Sequence, residues 1–191
     1  MNHKTLIIGG ASGSGSTYFR SALAALVFIG LSGSAYSAQA EWLKPHQLIM
    51  DKSLPQAQLT ANESVAREYA TFWNTGDESL ARDALAVNFI DKTPPEGRKQ
   101  GPEGAILASR AFRAAVPDLR CEVEQMIISG NRVVSHLHFY GTFSGTFGKL
   151  KGKGQKIDFI ATDIYDIREG KIAANWHIED NLTLMKQLGA L

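Results

Sequence analysis

Residues 157–189 read IDFIATDIYDIREGKIAANWHIEDNLTLMKQLG, and the architecture follows from how this segment pairs with itself. Two runs rich in β-branched and aromatic residues flank Arg168-Glu169-Gly170-Lys171, a polar turn whose glycine can supply a positive φ. An antiparallel hairpin of regular register sets Ile167 opposite Ile172, Asp163 opposite Trp176 and Phe159 opposite Asp180. Side chains alternate along strands, so one face then carries Phe159, Ala161, Asp163, Tyr165 and Ile167. Its partner adds Ile172, Ala174, Trp176, Ile178 and Asp180. This face is apolar and aromatic except for two carboxylates. A carboxylate there is costly unless it is paired, protonated or turned into a cavity, so Asp163 and Asp180 mark the candidate site.

The composition is that of an ordinary globular protein: 191 residues, 44% hydrophobic, 20% charged, net charge +1. So balanced a charge gives no electrostatic footprint for nucleic acid. At the N-terminus, Lys4 and Arg20 precede the apolar run Ala22–Leu31, and Ala38-Gln39-Ala40 before Glu41 fits a signal-peptidase site. Residues 1–40 are therefore expected to be a secretory signal peptide, and the mature protein periplasmic or secreted. The run is too short to span a bilayer and no other stretch could, so no integral membrane segment is expected after signal removal. TLIIGGASGSGST at 5–17 imitates a phosphate-binding loop, but Ser16 stands where that loop needs lysine, and the apolar leader follows it. Cys121 is the single cysteine, which excludes an intrachain disulfide; its strand-like surroundings suit a buried thiol.

Residues 41–60, with Pro45, Pro55 and several glutamines, read as a linker or arm, and residues 61–191 as the folded domain. Thr60-Ala61-Asn62-Glu63 has the form of a capping box, predicting a helix to about Trp73 with Val65, Tyr69, Phe72 and Trp73 on its buried side. Asn74-Thr75-Gly76-Asp77 ends it. A short helix over Ser79–Leu85, a short strand over Asn88–Thr93 and a third helix from Pro102 to Pro117 follow. Leu119–Ile128 and Arg132–Phe143 read as strands, and the glycine- and lysine-rich connection 144–155 as a solvated loop or a flap. Leu182–Leu188 makes a short final helix. Helices early and strands late argue for an α+β fold: a curved, mainly antiparallel sheet of four to six strands packed on three N-terminal helices. Odd carboxylates would point into the cone between the two layers.

The motifs Asn74-Thr75-Gly76-Asp77, Gly101-Pro102-Glu103-Gly104, Pro117-Asp118-Leu119, Gly170-Lys171-Ile172, Trp176, Asp180 and Gln187-Leu188-Gly189 occur in the order and spacing of the SnoaL-like polyketide cyclases (ester cyclases). The chain resembles that family over residues 62–189. The resemblance implies the cone-shaped NTF2-like fold shared with ketosteroid isomerases and scytalone dehydratases, and a homodimer formed through the sheet. It also implies Asp180 as acid/base. Tyr69, in a Tyr-x4-Asn-x-Gly-Asp context, is implied as an oxyanion donor, and Asp163 as a carboxylic acid beside it, kept neutral by an apolar site as in the isomerases. The isomerase's base, an Asp directly before Pro, is not reproduced: Thr93 precedes Pro94, and Asp91 lies two residues earlier.

These residues suggest a cofactor-free enzyme acting beside a carbonyl. Asp180 would take an α-proton while Tyr69 and neutral Asp163 hold the enolate oxygen, leading to intramolecular aldol cyclisation or to enolisation and isomerisation. Phe159, Tyr165, Trp176, Ile178, Trp73 and Asp91 would surround a small hydrophobic, cyclic or aromatic substrate. His136 and His138 share a strand face and join the site if that face is the inner one; the alternative inner face is Val133, Ser135, Leu137 and Phe139. His177, out of phase with Trp176, is expected outside. No local spacing of ligands suggests a metal. The alternatives are a non-catalytic exported ligand-binding or dimerisation module, and a dehydratase or epoxide hydrolase using the same cone.

Overall fold

The computed structural model describes residues 41–191, so the expected signal peptide at 1–40 lies outside the described residues. The elements in order are β1 (Gln47–Met50), α1 (Gln56–Thr75), α2 (Glu78–Ala84), β2 (Leu85–Asp91), α3 (Pro102–Ala115), β3 (Arg120–Ser129), β4 (Arg132–Phe143), β5 (Thr146–Phe147), β6 (Leu150–Lys151), β7 (Gln155–Arg168), β8 (Lys171–Glu179) and α4 (Asn181–Leu188). No helix among the described residues is long and apolar enough to cross a membrane.

The sheet order is β1-β3-β4-β7-β8-β2. Its four central strands pair antiparallel, while β1 joins β3 and β2 joins β8 in parallel. The helices cover one face, giving the α+β cone with its curved sheet. Burial alternates along β4, and along β7 as far as Tyr165. Val133, Ser135, Leu137 and Phe139 oppose Tyr165, Asp163, Ala161 and Phe159, all turned toward the helices. α1 lays Leu59, Val65, Ala66, Tyr69, Ala70 and Phe72 on this surface. It stops at Gly76, whose φ of 78° no other residue adopts so readily and whose N–H closes on Phe72 O. Asp77 caps α2 by accepting from Ser79 N–H, and Pro102 opens α3.

Two expectations for the N-terminal part are corrected. α1 begins at Gln56, directly after Pro55, so Thr60 lies inside the helix; its hydroxyl accepts from Gln56 Nε2 one turn back instead of capping anything. The supposed linker also contributes β1, an edge strand held in register from Gln47 opposite Gln125 to Met50 opposite Ile128.

The central hairpin departs from a regular register by one residue. Ile167 faces Ile172 as expected, but Asp166 faces Ala174 and Asp163 faces His177, which leaves Ala173 as an extra residue in β8. A buried knot sits beside the bulge. The Asp166 carboxylate receives Arg132 Nη1 at 2.5 Å, Asn131 Nδ2 at 2.7 Å and Arg168 Nη2 at 2.8 Å, and Ile167 N–H turns away to Asn131 O. Because side chains alternate with period two, a slip of one exchanges the faces of everything beyond it. Asn175, His177 and Glu179 therefore take the inward positions expected of Trp176, Ile178 and Asp180.

The connection 144–155 is a small hairpin, β5–β6, seated on the C-terminal end of α3: Ser144 and Gly145 N–H both donate to Ala115 O. Two of its glycines serve close approach. A Cβ on Gly145 would stand 1.9 Å from Ala114 O, and one on Gly152 2.4 Å from Phe143 O. Gly145→Ala is therefore expected to lower stability by about 1–3 kcal/mol, the cost of forcing backbones apart in a packed site. Chemical denaturation checks this, and an unchanged midpoint would contradict the close seating.

Candidate active site

Between α1, α3, α4 and the inner sheet face lies a cavity of about 360 Å³. Trp73, Phe89, Phe112, Phe139, Phe147 and Phe159 form its aromatic walls. Phe139 stacks on Phe159 at 5.4 Å between ring centres, and Phe112 meets Phe159 edge-on at 5.9 Å. These rings interlock, so the walls present fixed flat surfaces. Its main polar patch is Asp163, Asn175, His177 and Glu179 from β7 and β8, with Asp91, Arg98 and Lys99 from β2 and the loop after it and Asn181 from α4.

Asp163 organises this polar patch from almost complete burial. Its Oδ1 accepts from Asn175 Nδ2 at 2.7 Å and pairs with His177 Nδ1 at 2.8 Å, while its Oδ2 accepts from the Tyr165 hydroxyl at 2.9 Å. Three side chains thus converge on one carboxyl group, at the position where the resemblance implied a neutral acid. Burial, followed by the Asp163 charge, raises the Tyr165 phenol far above its ordinary range, so it remains a donor.

His177 completes the chain. Its Nε2 lies 3.4 Å from Glu179 Oε2, which places the ring between two carboxylates. Burial by itself would lower its pKa. The hydrogen bonds and charges of Asp163 and Glu179 together outweigh burial and push it up to about 10. At neutral pH the ring is an imidazolium with one N–H fixed on buried Asp163 and the other facing Glu179 at the cavity. Tyr69 also lines the cavity, its phenol raised by burial and then by the Asp163 charge. Asp91 takes Thr93 N–H at 3.0 Å and stands 3.4 Å from Arg98 Nη1 at the same wall.

Of the residues singled out in the sequence, Tyr69, Trp73, Asp91, Phe159 and Asp163 line the cavity, and Tyr165 stands behind Asp163. Five do not. Asp180 is the N-cap of α4, its carboxylate accepting from Thr183 N–H, a bond that also lowers its pKa. Trp176 faces the outer side under the Arg132 guanidinium, 5.1 Å from the ring centre, and Ile178 is 72% exposed there. The Ala173 bulge is the cause for all three. His136 and His138 belong to the outer face of β4, where they meet Thr162 Oγ1 and Asp158 Oδ1. Sequence reasoning missed His177 and Glu179. Their signal was the polar series Asn175, His177, Glu179 at every second position, the set a cavity would need if the apolar Trp176 and Ile178 faced a second layer.

The family model described as SnoaL-like polyketide cyclase matches residues 63–188. A solved structure from Bacillus cereus ATCC 10987 that carries a polyketide-cyclase designation is 40% identical. The match covers 80% of this chain and 96% of that one, with a TM-score of 0.73. TsrD from Streptomyces laurentii is 25% identical over 72% of this chain and 99% of its own, at a TM-score of 0.63. IdmH from Streptomyces antibioticus, at 24% identity over 67% of this chain and 98% of its own with a TM-score of 0.60, shares the fold. No curated protein matches the chain.

The imidazolium has a signature in stability. The folded-state pKa of His177 lies above its ordinary 6.5, so its stabilisation is complete below about 6.5 and is lost as pH rises through about 10. Compared with His177→Gln in urea denaturation, the wild type is expected to be more stable at pH 6, with the gap narrowing between pH 6.5 and 10. A gap that is constant or widens with pH would exclude a buried imidazolium.

Proposed function

Because the chain belongs to the SnoaL-like polyketide cyclase family, we propose that it is a cofactor-free enzyme performing acid/base chemistry beside a carbonyl on a small cyclic or aromatic molecule. The observation that carries this reading is the Asp163–His177–Glu179 chain set at one wall of an aromatic cavity. A flat ligand lies among Phe112, Phe139 and Phe159 with its carbonyl oxygen toward His177 Nε2–H. Glu179, turning from the imidazolium, takes the α-proton; the developing enolate oxygen accepts from His177, with the Tyr69 hydroxyl as the second donor. Asp163 holds the imidazole by Nδ1 and keeps it cationic, so the positive charge is in place before the oxyanion forms. The enolate then attacks an internal carbonyl, closing a ring by aldol addition while protonated Glu179 returns its proton to the new alkoxide, or it regains that proton at another carbon. Base, donors and walls are all side chains, so the reaction as proposed calls on no cofactor.

Export and self-association belong to the same proposal. Lys4, Arg20, the apolar run to Leu31 and Ala38-Gln39-Ala40 support a signal peptide. Ile160, Ile164 and Ile178, exposed on the outer sheet face, support a homodimer through that face. A processed N-terminus at Glu41 and a mass of two chains in light scattering are expected; an unprocessed or monomeric product would contradict the corresponding part.

Chemistry is tested with 1-tetralone in deuterium oxide, following α-proton exchange by NMR. The wild type should accelerate exchange, and Glu179→Gln and His177→Gln should each reduce the acceleration about 100-fold or more. Binding of the ketone without exchange would support the exported ligand-binding module instead. Full exchange in both variants would remove these residues from the mechanism.

A further inference from the structure

The sheet face turned away from the cavity carries a second cluster, built from groups the proposed reaction does not use. His46, just before β1, is anchored by its own N–H on Val123 O at 2.8 Å. Its ring lies between two half-buried glutamates of β3, with Nδ1 3.2 Å from Glu124 Oε2 and Nε2 3.9 Å from Glu122 Oε2. One ligand atom from each of the three falls within 4.8 Å of the others. From β4, His138 brings Nδ1 to 3.6 Å from Glu124 Oε1.

Three features point to a cation here. First, the acids have no lysine or arginine partner among the described residues: Glu122, Glu124 and neighbouring Asp158 form ion pairs there only with histidines. Second, the flanking groups are those that orient metal ligands. His138 gives its Nε2 to Asp158 Oδ1 at 2.8 Å, which turns Nδ1 toward Glu124, and the Tyr140 hydroxyl donates to Glu122 Oε1 at 2.6 Å. Third, β3 is bulged at this point. Val123 faces Leu137 and Gln125 faces His136, so Glu124 is the extra residue and is delivered beside Glu122.

We propose that His46, Glu122 and Glu124, whose ligand atoms converge, together with His138, which reaches Glu124 from outside that trio, form a binding site for a zinc-type divalent cation. Two imidazoles with two carboxylates suit such an ion better than magnesium or calcium, which prefer oxygen ligands throughout. The ligands come from the lead-in to β1, from β3 and from β4, and meet only through strand pairing, so no local spacing announces them. An ion held there ties the N-terminal arm to the sheet at His46.

The test is zinc titration of the full chain, without a polyhistidine tag, by calorimetry and thermal shift. The wild type should bind one Zn²⁺ per chain and melt higher with it, and an excess of Mg²⁺ should not displace it. His46→Gln and Glu124→Gln should each weaken binding at least tenfold, and Asp158→Asn, acting through His138, should weaken it as well. His177→Gln should keep wild-type affinity, which separates this site from the carbonyl chemistry. The proposal is overturned if the wild type takes up no zinc, if His46→Gln and Glu124→Gln bind as tightly as it does, or if His177→Gln is the variant that loses binding.

Discussion

A carboxylate removed from water must be matched by donors, and Asp163 shows how much structure that requirement commands. Asn175, His177 and Tyr165 all turn their donors to its two oxygens. β7 supplies the acid and the phenol, and β8 supplies the amide and the imidazole, so the patch exists only while those two strands keep their register. Losing one donor from such a site costs far more than a hydrogen bond between exposed groups contributes, since a buried acceptor would be left unpaired. Packing and chemistry therefore constrain the same residues. Tyr165 fills the core beneath the cavity and at the same time holds Asp163 in place.

Much of this was legible in the chain. The order of helices and strands, the Gly76 and Pro102 punctuation, and the inward series Phe159, Ala161, Asp163, Tyr165 follow from patterns that act locally. Asp163 stood out because an acid on an apolar strand face requires an explanation. The far half of the hairpin was not legible, since Trp176 and Ile178 satisfy an inward pattern better than His177 and Glu179 do. Their direction follows from the register shift beside the buried Asp166 and its two arginines, an arrangement of residues from β4 and β7 that no local pattern announces. Alternation gives the faces of a strand, but only a tertiary contact says where the count restarts. Thr60 misled for a related reason: a capping sequence is also a passable helix interior once Pro55 has started the helix earlier.

The cone favours this kind of site. One curved sheet carrying helices on a single face leaves a hollow that neither layer fills, and the aromatic rings lining it exclude water without closing it. Charges placed at its wall act in a low-dielectric setting, where their mutual effects are large. The outer face follows a different logic. There Arg132 lies over Trp176 while the opposite reach of the sheet gathers acids and histidines, so one set of strands carries two chemistries on its two sides.

The extra residue at Ala173 bears on ancestry as well as on geometry. Inserting or deleting a single codon near that turn would exchange the cavity-lining and the surface complement of β8 in one event, without altering any other side chain. Relatives aligned without a gap there would seem to have swapped Asn175, His177 and Glu179 for hydrophobic residues when they had only lost a step in the strand. Comparisons of pocket residues are therefore sound only after the hairpins have been superposed in space.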